Sequence, residues 1–110
     1  MEAVYQDLFL RSIKTTQYEL FQREYHIDGG VGDILLRAKD GSKRLSVVEV
    51  KYIDIHSEGR TARTRRRNNR NKVKKQAWRY GKAVKKKYPT YKVMVCIYTN
   101  ENGLVKLGEL

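Results

Sequence analysis

This 110-residue chain holds one cysteine, one proline, one tryptophan and two histidines. A lone Cys96 excludes an internal disulfide and leaves no cysteine cluster for zinc or an iron–sulfur centre. His26 and His56 have no partners at ligand spacing, which argues against a zinc site. No apolar run approaches the roughly 20 residues of a membrane-spanning helix. The opening stretch MEAVYQDLFLRSIK carries an acid at its second residue and lacks the layout of a signal peptide. The expected setting is therefore intracellular, cytoplasmic or nuclear. No internal repeat is present. The scarcity with the largest consequence is that of negative charge. From Gly59 to Asn100 there is no Asp or Glu, and 15 basic residues lie in that stretch.

What is present fits one folded domain over residues 1–110, since 40% of the residues are hydrophobic and the length supports a single modest core. Lys and Arg number 24 against 12 Asp and Glu, a formal net charge of +12. A one-sided positive field favours a polyanion as partner: nucleic acid first, with an anionic membrane surface second and no membrane span. A domain of this size can dimerise to reach both strands of a duplex, or can belong to a longer multidomain protein.

Hydrophobic spacing predicts the elements. Val4, Tyr5, Leu8, Phe9 and Ser12 share one side of a first helix, which ends near Thr15-Thr16. YELFQREYHI either continues that helix or forms a strand with Phe21, Tyr25 and Ile27 on one face. Val31 to Lys39 and Lys43 to Ile53 read as two strands of a hairpin turning at Asp40-Gly41. Residues 54–71, DIHSEGRTARTRRRNNRN, show no apolar stripe at any period. Basic residues at a helix start would also oppose the helix dipole, so a basic arm is expected over about 57–71. From about Lys72 to Lys87 a helix buries Val73, Ala77, Tyr80, Ala83, Val84 and Tyr88, and Tyr88-Pro89 stops it. YKVMVCIYT and LVKLGEL are closing strands, with a turn at Asn102-Gly103. The order is helix, strands, helix, strands: an α/β or α+β domain with helices on a central mixed sheet.

The apolar strand VVEVKYI, residues 47–53, carries Glu49 and Lys51 on one face, because residues two apart point the same way. An isolated E-x-K on a strand is ordinarily a solvated ion pair. Here Val48, Val50 and Tyr52 on the other face imply a strand covered on both sides, where charges are costly unless paired or holding a metal. Asp33 on the neighbouring strand supplies a second carboxylate. The two carboxylates share a face only if the hairpin loop is odd. Lys39-Asp40-Gly41 as a three-residue loop with Gly41 left-handed would place them diagonally, whereas an even, unbulged loop would separate them. Two carboxylates with few nitrogen or sulfur donors suit Mg²⁺ or Mn²⁺, and Lys51 beside them suits a role in orienting a nucleophile or stabilising charge on phosphate.

Asp33, followed 16 positions on by Glu49-Val50-Lys51, resembles the metal motif of the PD-(D/E)XK nuclease superfamily. Gln76-Ala77-Trp78-Arg79-Tyr80 resembles the QxxxY motif of its RecB-like members. Small VRR-NUC-like nuclease domains are the other comparison. Gly32 stands where the family name puts proline. The resemblance implies a restriction-endonuclease-like core and an Mg²⁺-dependent deoxyribonuclease hydrolysing phosphodiester bonds. It implies Asp33, Glu49 and the Val50 carbonyl as metal donors, Lys51 as the residue that positions water or transition state, and Gln76 and Tyr80 as orienting residues. An extra acid from the first helix is also implied, with Glu2, Asp7 and Glu19 as candidates: Glu19 if the helix is continuous, Glu2 if it is short and a strand follows. On the bottom-up side, Gln76 and Tyr80 lie one turn apart on one helical face, where Tyr80 also suits an ordinary core position.

Arg60, Arg63, Arg65, Arg66, Arg67, Arg70, Lys72, Lys74 and Lys75 are the candidate nucleic-acid contacts. Trp78, on the Lys-rich face, either stacks on a base or packs under the arm. Two rival readings are a non-catalytic basic nucleic-acid-binding module on the same fold and, further off, a basic adaptor for protein or membrane surfaces.

Overall fold

A computed structural model describes residues 2–13 and 16–110; the side chain of Glu2 lies outside the described atoms. Helix α1 spans Glu2–Ser12. Strands β1 (Tyr18–Ile27), β2 (Gly30–Ala38) and β3 (Arg44–Lys51) follow, then helix α2 (Arg60–Lys87) and strands β4 (Lys92–Thr99) and β5 (Gly103–Glu109). The five strands form one mixed sheet in the order β1-β2-β3-β4-β5. All neighbours are antiparallel except β3 and β4. A parallel pair needs a long crossover, and α2 supplies it. No described helix is long and apolar enough to cross a membrane.

The alternation of side chains along the strands divides the core between two faces. Phe9 and Ile13, at the end of α1, pack on Ile34, Leu36, Val48, Val50 and Cys96. On the other face α2 brings Val73, Ala77, Tyr80 and Val84 against Leu35, Val47, Val93, Val95 and Ile97. Strand β3 is central and covered on both sides, so Leu45 to Val50 are buried without interruption. Burial pushes the Cys96 thiol up to about 11, which makes it a packing residue and not a nucleophile.

YELFQREYHI is a strand, with Phe21, Tyr25 and Ile27 all on the α2 side of the sheet as its alternation suggests. The face of α1 is turned from its expected position. Val4 and Leu8 are 57% and 46% exposed, while Gln6 and Phe9 are buried. The sheet accepts the stripe through Tyr5, Gln6, Phe9 and Ile13 because Gln6 finds polar partners at the sheet end.

The expected basic arm over 57–71 is corrected to helix from Arg60 onward. Gly59 offers no side-chain cap and the first turn has no acid, so local signals oppose a helix start. Other terms win. Arg is a good helix former, and no Gly or Pro interrupts residues 60–80. Ala62 is buried. Arg66 donates to the carbonyls of Ser57 (2.7 Å) and Asp54 (3.3 Å), pinning the preceding loop to the helix. Arg70 clasps Glu101, in the β4–β5 turn, through two hydrogen bonds of 2.8 and 2.6 Å. At the other end Lys85, Lys86 and Lys87 suit the dipole, and Tyr88 closes the helix onto the Val84 carbonyl before Pro89.

The Arg70 hydrogen bonds hold the Glu101 carboxyl below its ordinary value of 4.5. The folded value is the lower one, so this contribution is complete above about pH 4.5 and is lost as the pH falls through the depressed value. Solvent reaches both groups, and screening limits the pair to no more than about 1 kcal/mol. We expect Glu101→Gln to lower the urea midpoint near pH 7. The gap to wild type should narrow at about pH 3, as unfolding curves at both values would show.

Candidate functional site

The hairpin register decides which charges meet. Residues 39–43 join β2 to β3, with Gly41 at φ +80° and the Ser42 amide bonded to the Asp40 carboxylate. The ladder runs from Arg37↔Leu45 to Ile34↔Val48. The connection is odd, which meets the condition set by the sequence, but the turn is not the three-residue Lys39-Asp40-Gly41 loop. Continued by one step, this register sets Asp33 directly opposite Glu49 rather than diagonal to it.

The ladder stops at Ile34↔Val48, and the next backbone donors bond to the carboxylates instead. The Asp33 amide donates to Glu49 Oε1 at 3.0 Å, and the Val50 amide donates to Asp33 Oδ2 at 2.7 Å. Each acid thus satisfies the main chain of the opposing strand. Glu49 is only 2% exposed, an unusual position for a glutamate. Lys51 lies two residues on, half-buried. Next to this end of β3, Asn100 closes the chain like an extra rung. Its side-chain amide accepts from the Ile53 N–H at 2.7 Å and donates to the Ile53 carbonyl at 2.8 Å.

Asp33, Glu49, Val50 and Lys51 form one wall of a cleft of about 160 Å³. Asn69, Lys72, Val73 and Gln76 of α2 form the other. Gln76 donates to the Tyr80 hydroxyl at 3.2 Å, so the two residues of the QxxxY pattern act as a unit, with Gln76 at the cleft and Tyr80 buried. Tyr80 also packs against Gly30, where a Cβ would overlap its hydroxyl end.

Tyr25 stands behind the carboxylates. Burial pushes its phenol far above the ordinary value, and Glu49 and Asp33 add to the shift, so it stays neutral beside them. Its hydroxyl is buried, and among the described residues it has no hydrogen-bond partner. The ring's hydroxyl end presses against Gly32, where any Cβ would collide with it. Glycine before Asp33 is therefore a packing requirement of this chain.

Among the described side chains of α1, it is an amide that reaches Asp33. Gln6 Nε2 approaches Asp33 Oδ1 at 3.4 Å, and Gln6 Oε1 accepts from Arg23 Nε at 2.8 Å. Arg23 can only donate, which fixes the amide with its N–H₂ toward Asp33. Glu19 does not join the site. It pairs with Arg37 at 2.9 Å, toward the opposite end of β2 from Asp33. Glu2, another candidate acid, has its side chain outside the described atoms. Gln6 and Tyr25 went unrecognised in the sequence. Gln6 lies off the face that hydrophobic spacing assigns to α1, and it joins an apolar stripe only because the sheet accepts Phe9 and Ile13 instead of Val4 and Leu8.

Of the candidate nucleic-acid contacts, Arg60, Arg63, Arg65, Arg67, Lys72, Lys74 and Lys75 are exposed. Arg66 and Arg70 are instead engaged in the intramolecular bonds that hold α2. Trp78 is half-buried, and its ring packs against Gly108 of β5, among Val105 and Leu107. Among the described residues no group of three or more His, Cys, Asp or Glu is placed to hold a metal. Among the described residues the cleft is lined by two carboxylates, Asp33 and Glu49.

Gly32→Ala should cost about 1–3 kcal/mol by overpacking against the Tyr25 ring. The penalty should shrink in a Tyr25→Ala background, read from urea unfolding of the four proteins of the double-mutant cycle.

No protein-family model, no curated protein and no solved structure matches this chain.

Proposed function

We propose that the chain is a metal-dependent nuclease of the PD-(D/E)XK type, on a restriction-endonuclease-like core, hydrolysing phosphodiester bonds in DNA. One observation carries the reading: Asp33 faces Glu49 across the end of the β2–β3 ladder, and both line one cleft with Lys51 beneath a basic helix. An α1-βββ-α2-ββ order with β3 and β4 parallel supports the same fold family.

The donor set fits a hard divalent cation. Mg²⁺ is commonly held by one or two carboxylates, with water and substrate phosphate completing its shell, so Asp33 and Glu49 suffice. Asp33, Glu49 and the Val50 carbonyl would hold Mg²⁺ or Mn²⁺. Such an ion supplies Lewis-acid polarisation of a phosphoryl oxygen and a more acidic bound water.

The chain's own residues do the rest. Lys51 places an ammonium in the cleft, where negative charge builds on the phosphoryl oxygens as the P–O bond breaks. Gln76, oriented by Tyr80, offers its amide to water or phosphate from the opposite wall. Gln6 and the Val50 amide fix the Asp33 carboxylate, so its orientation is set before substrate arrives. Lys72 adds positive charge at the mouth, where the scissile phosphate would enter.

With labelled duplex DNA and Mg²⁺, the wild-type protein should cleave, and chelation should stop it. Asp33→Ala, Glu49→Ala and Lys51→Ala should each slow cleavage by about a hundredfold or more. Cleavage unchanged in Glu49→Ala and Lys51→Ala would rule out this assignment. Salt-sensitive binding with no metal-dependent cleavage by the wild type would select the non-catalytic binding module instead.

A further inference from the structure

The cleft is not isolated on the surface. A shallow groove of about 440 Å³ runs along the first half of α2, lined by Arg60, Thr61, Thr64, Arg65, Asn68 and Asn69. Asn69 lines both this groove and the carboxylate cleft, so the two are neighbours along α2. One turn further on, Lys72 extends the positive charge to the cleft mouth. Every side chain in the groove carries an N–H or O–H donor. Arginine, asparagine and threonine are the residues that bond phosphate and sugar oxygens, and no acid interrupts them.

Equally informative is what the groove lacks. Unpaired bases are generally bound on aromatic platforms, worth about 1–3 kcal/mol per base. The eight tyrosines, two phenylalanines and one tryptophan of this chain all pack on the protein itself. Tyr5 stacks on Tyr52, Phe9 meets Tyr98, and Phe21, Tyr88 and Tyr91 cluster together. Tyr25 and Tyr80 are buried, Tyr18 packs on the α1-side core, and Trp78 covers Gly108. None lines the groove.

We infer that this groove takes the sugar–phosphate backbone of a base-paired duplex, read by phosphate and not by base, and leads one strand to the Asp33–Glu49 cleft. From Arg60 to Gln76 the helix rises about 24 Å, at 1.5 Å per residue. That length equals the axial rise of about seven base pairs of duplex. The bases stay stacked within the duplex, so the protein needs no platform for them. The destination of the strand rests on the nuclease reading; the preference for duplex does not.

Binding in EDTA separates the two, because no cleavage can occur. By fluorescence anisotropy between about 50 and 200 mM KCl, a 20-base-pair duplex should bind about tenfold or more tighter than its single strand, whatever its sequence. Arg65→Gln and Lys72→Gln should each reduce the slope of log affinity against log salt by about 0.9, while Lys106→Gln on β5 should leave it near the wild-type value. Circular dichroism would verify that the variants are folded. Single strand binding as tightly as duplex, or wild-type slopes in Arg65→Gln and Lys72→Gln, would overturn the inference. Duplex preference without cleavage in Mg²⁺ would leave the groove standing and remove the nuclease; cleavage by a protein that prefers single strands would do the reverse.

Discussion

The pair of hydrogen bonds from the Asp33 and Val50 amides to the carboxylates of Glu49 and Asp33 is the contact on which the rest of the site depends. A β-ladder that ends inside a protein leaves main-chain donors that must be satisfied, because an unpaired buried N–H costs as much as a lost hydrogen bond. Here the two acids meet that need, and in doing so they are drawn together. Structure and proposed chemistry therefore share the same oxygen atoms. Each carboxylate accepts a main-chain N–H, which offsets part of the cost of placing two acids face to face at the end of a core strand.

Around that contact the chain arranges positive and donor groups on every side. Gln6 approaches Asp33 from α1, its amide locked by Arg23. Lys51 lies along β3, and Lys72, Asn69 and Gln76 hang from α2. The neutral Tyr25 phenol closes the back against Gly32. The crossover that makes β3 and β4 parallel is what carries α2 over the cleft, so topology and electrostatics have one cause. The length of α2 also matters. Its first half extends beyond the carboxylates and bears arginines of two kinds: some tie the helix to the loop at 54–57 and to Glu101, and others remain exposed along the groove.

Much of this was legible in the sequence. Alternation gave β2, β3 and β4, Tyr88-Pro89 gave the end of α2, and the E-x-K of VVEVKYI marked the cleft through two charges on one face of a buried strand. The parity of the hairpin was a stated condition, but its fulfilment was not readable. Loop length fixes parity, and DGSK admits more than one closure. The helix over 60–71 was hidden for a related reason. Its local capping and dipole terms are unfavourable, and the partners that offset them, Glu101 and the carbonyls of Asp54 and Ser57, are distant in sequence or lie in an irregular loop.

By itself the sequence determined the composition of the site and the sign of its surroundings: two carboxylates and a lysine on apolar strands, a Gln and a Tyr one helical turn apart, and a stretch free of acid. These follow from periodicity and charge, which are local. Only the tertiary structure decided that Asp33 opposes Glu49, that Gln6 and not Glu19 reaches the site from outside the hairpin, and that Trp78 packs on β5 while Asn69 lines both groove and cleft. Those outcomes depend on register and on which face of a helix the sheet accepts. Both are set by packing across the whole fold, where a single-residue shift would turn every side chain of a strand to the other side.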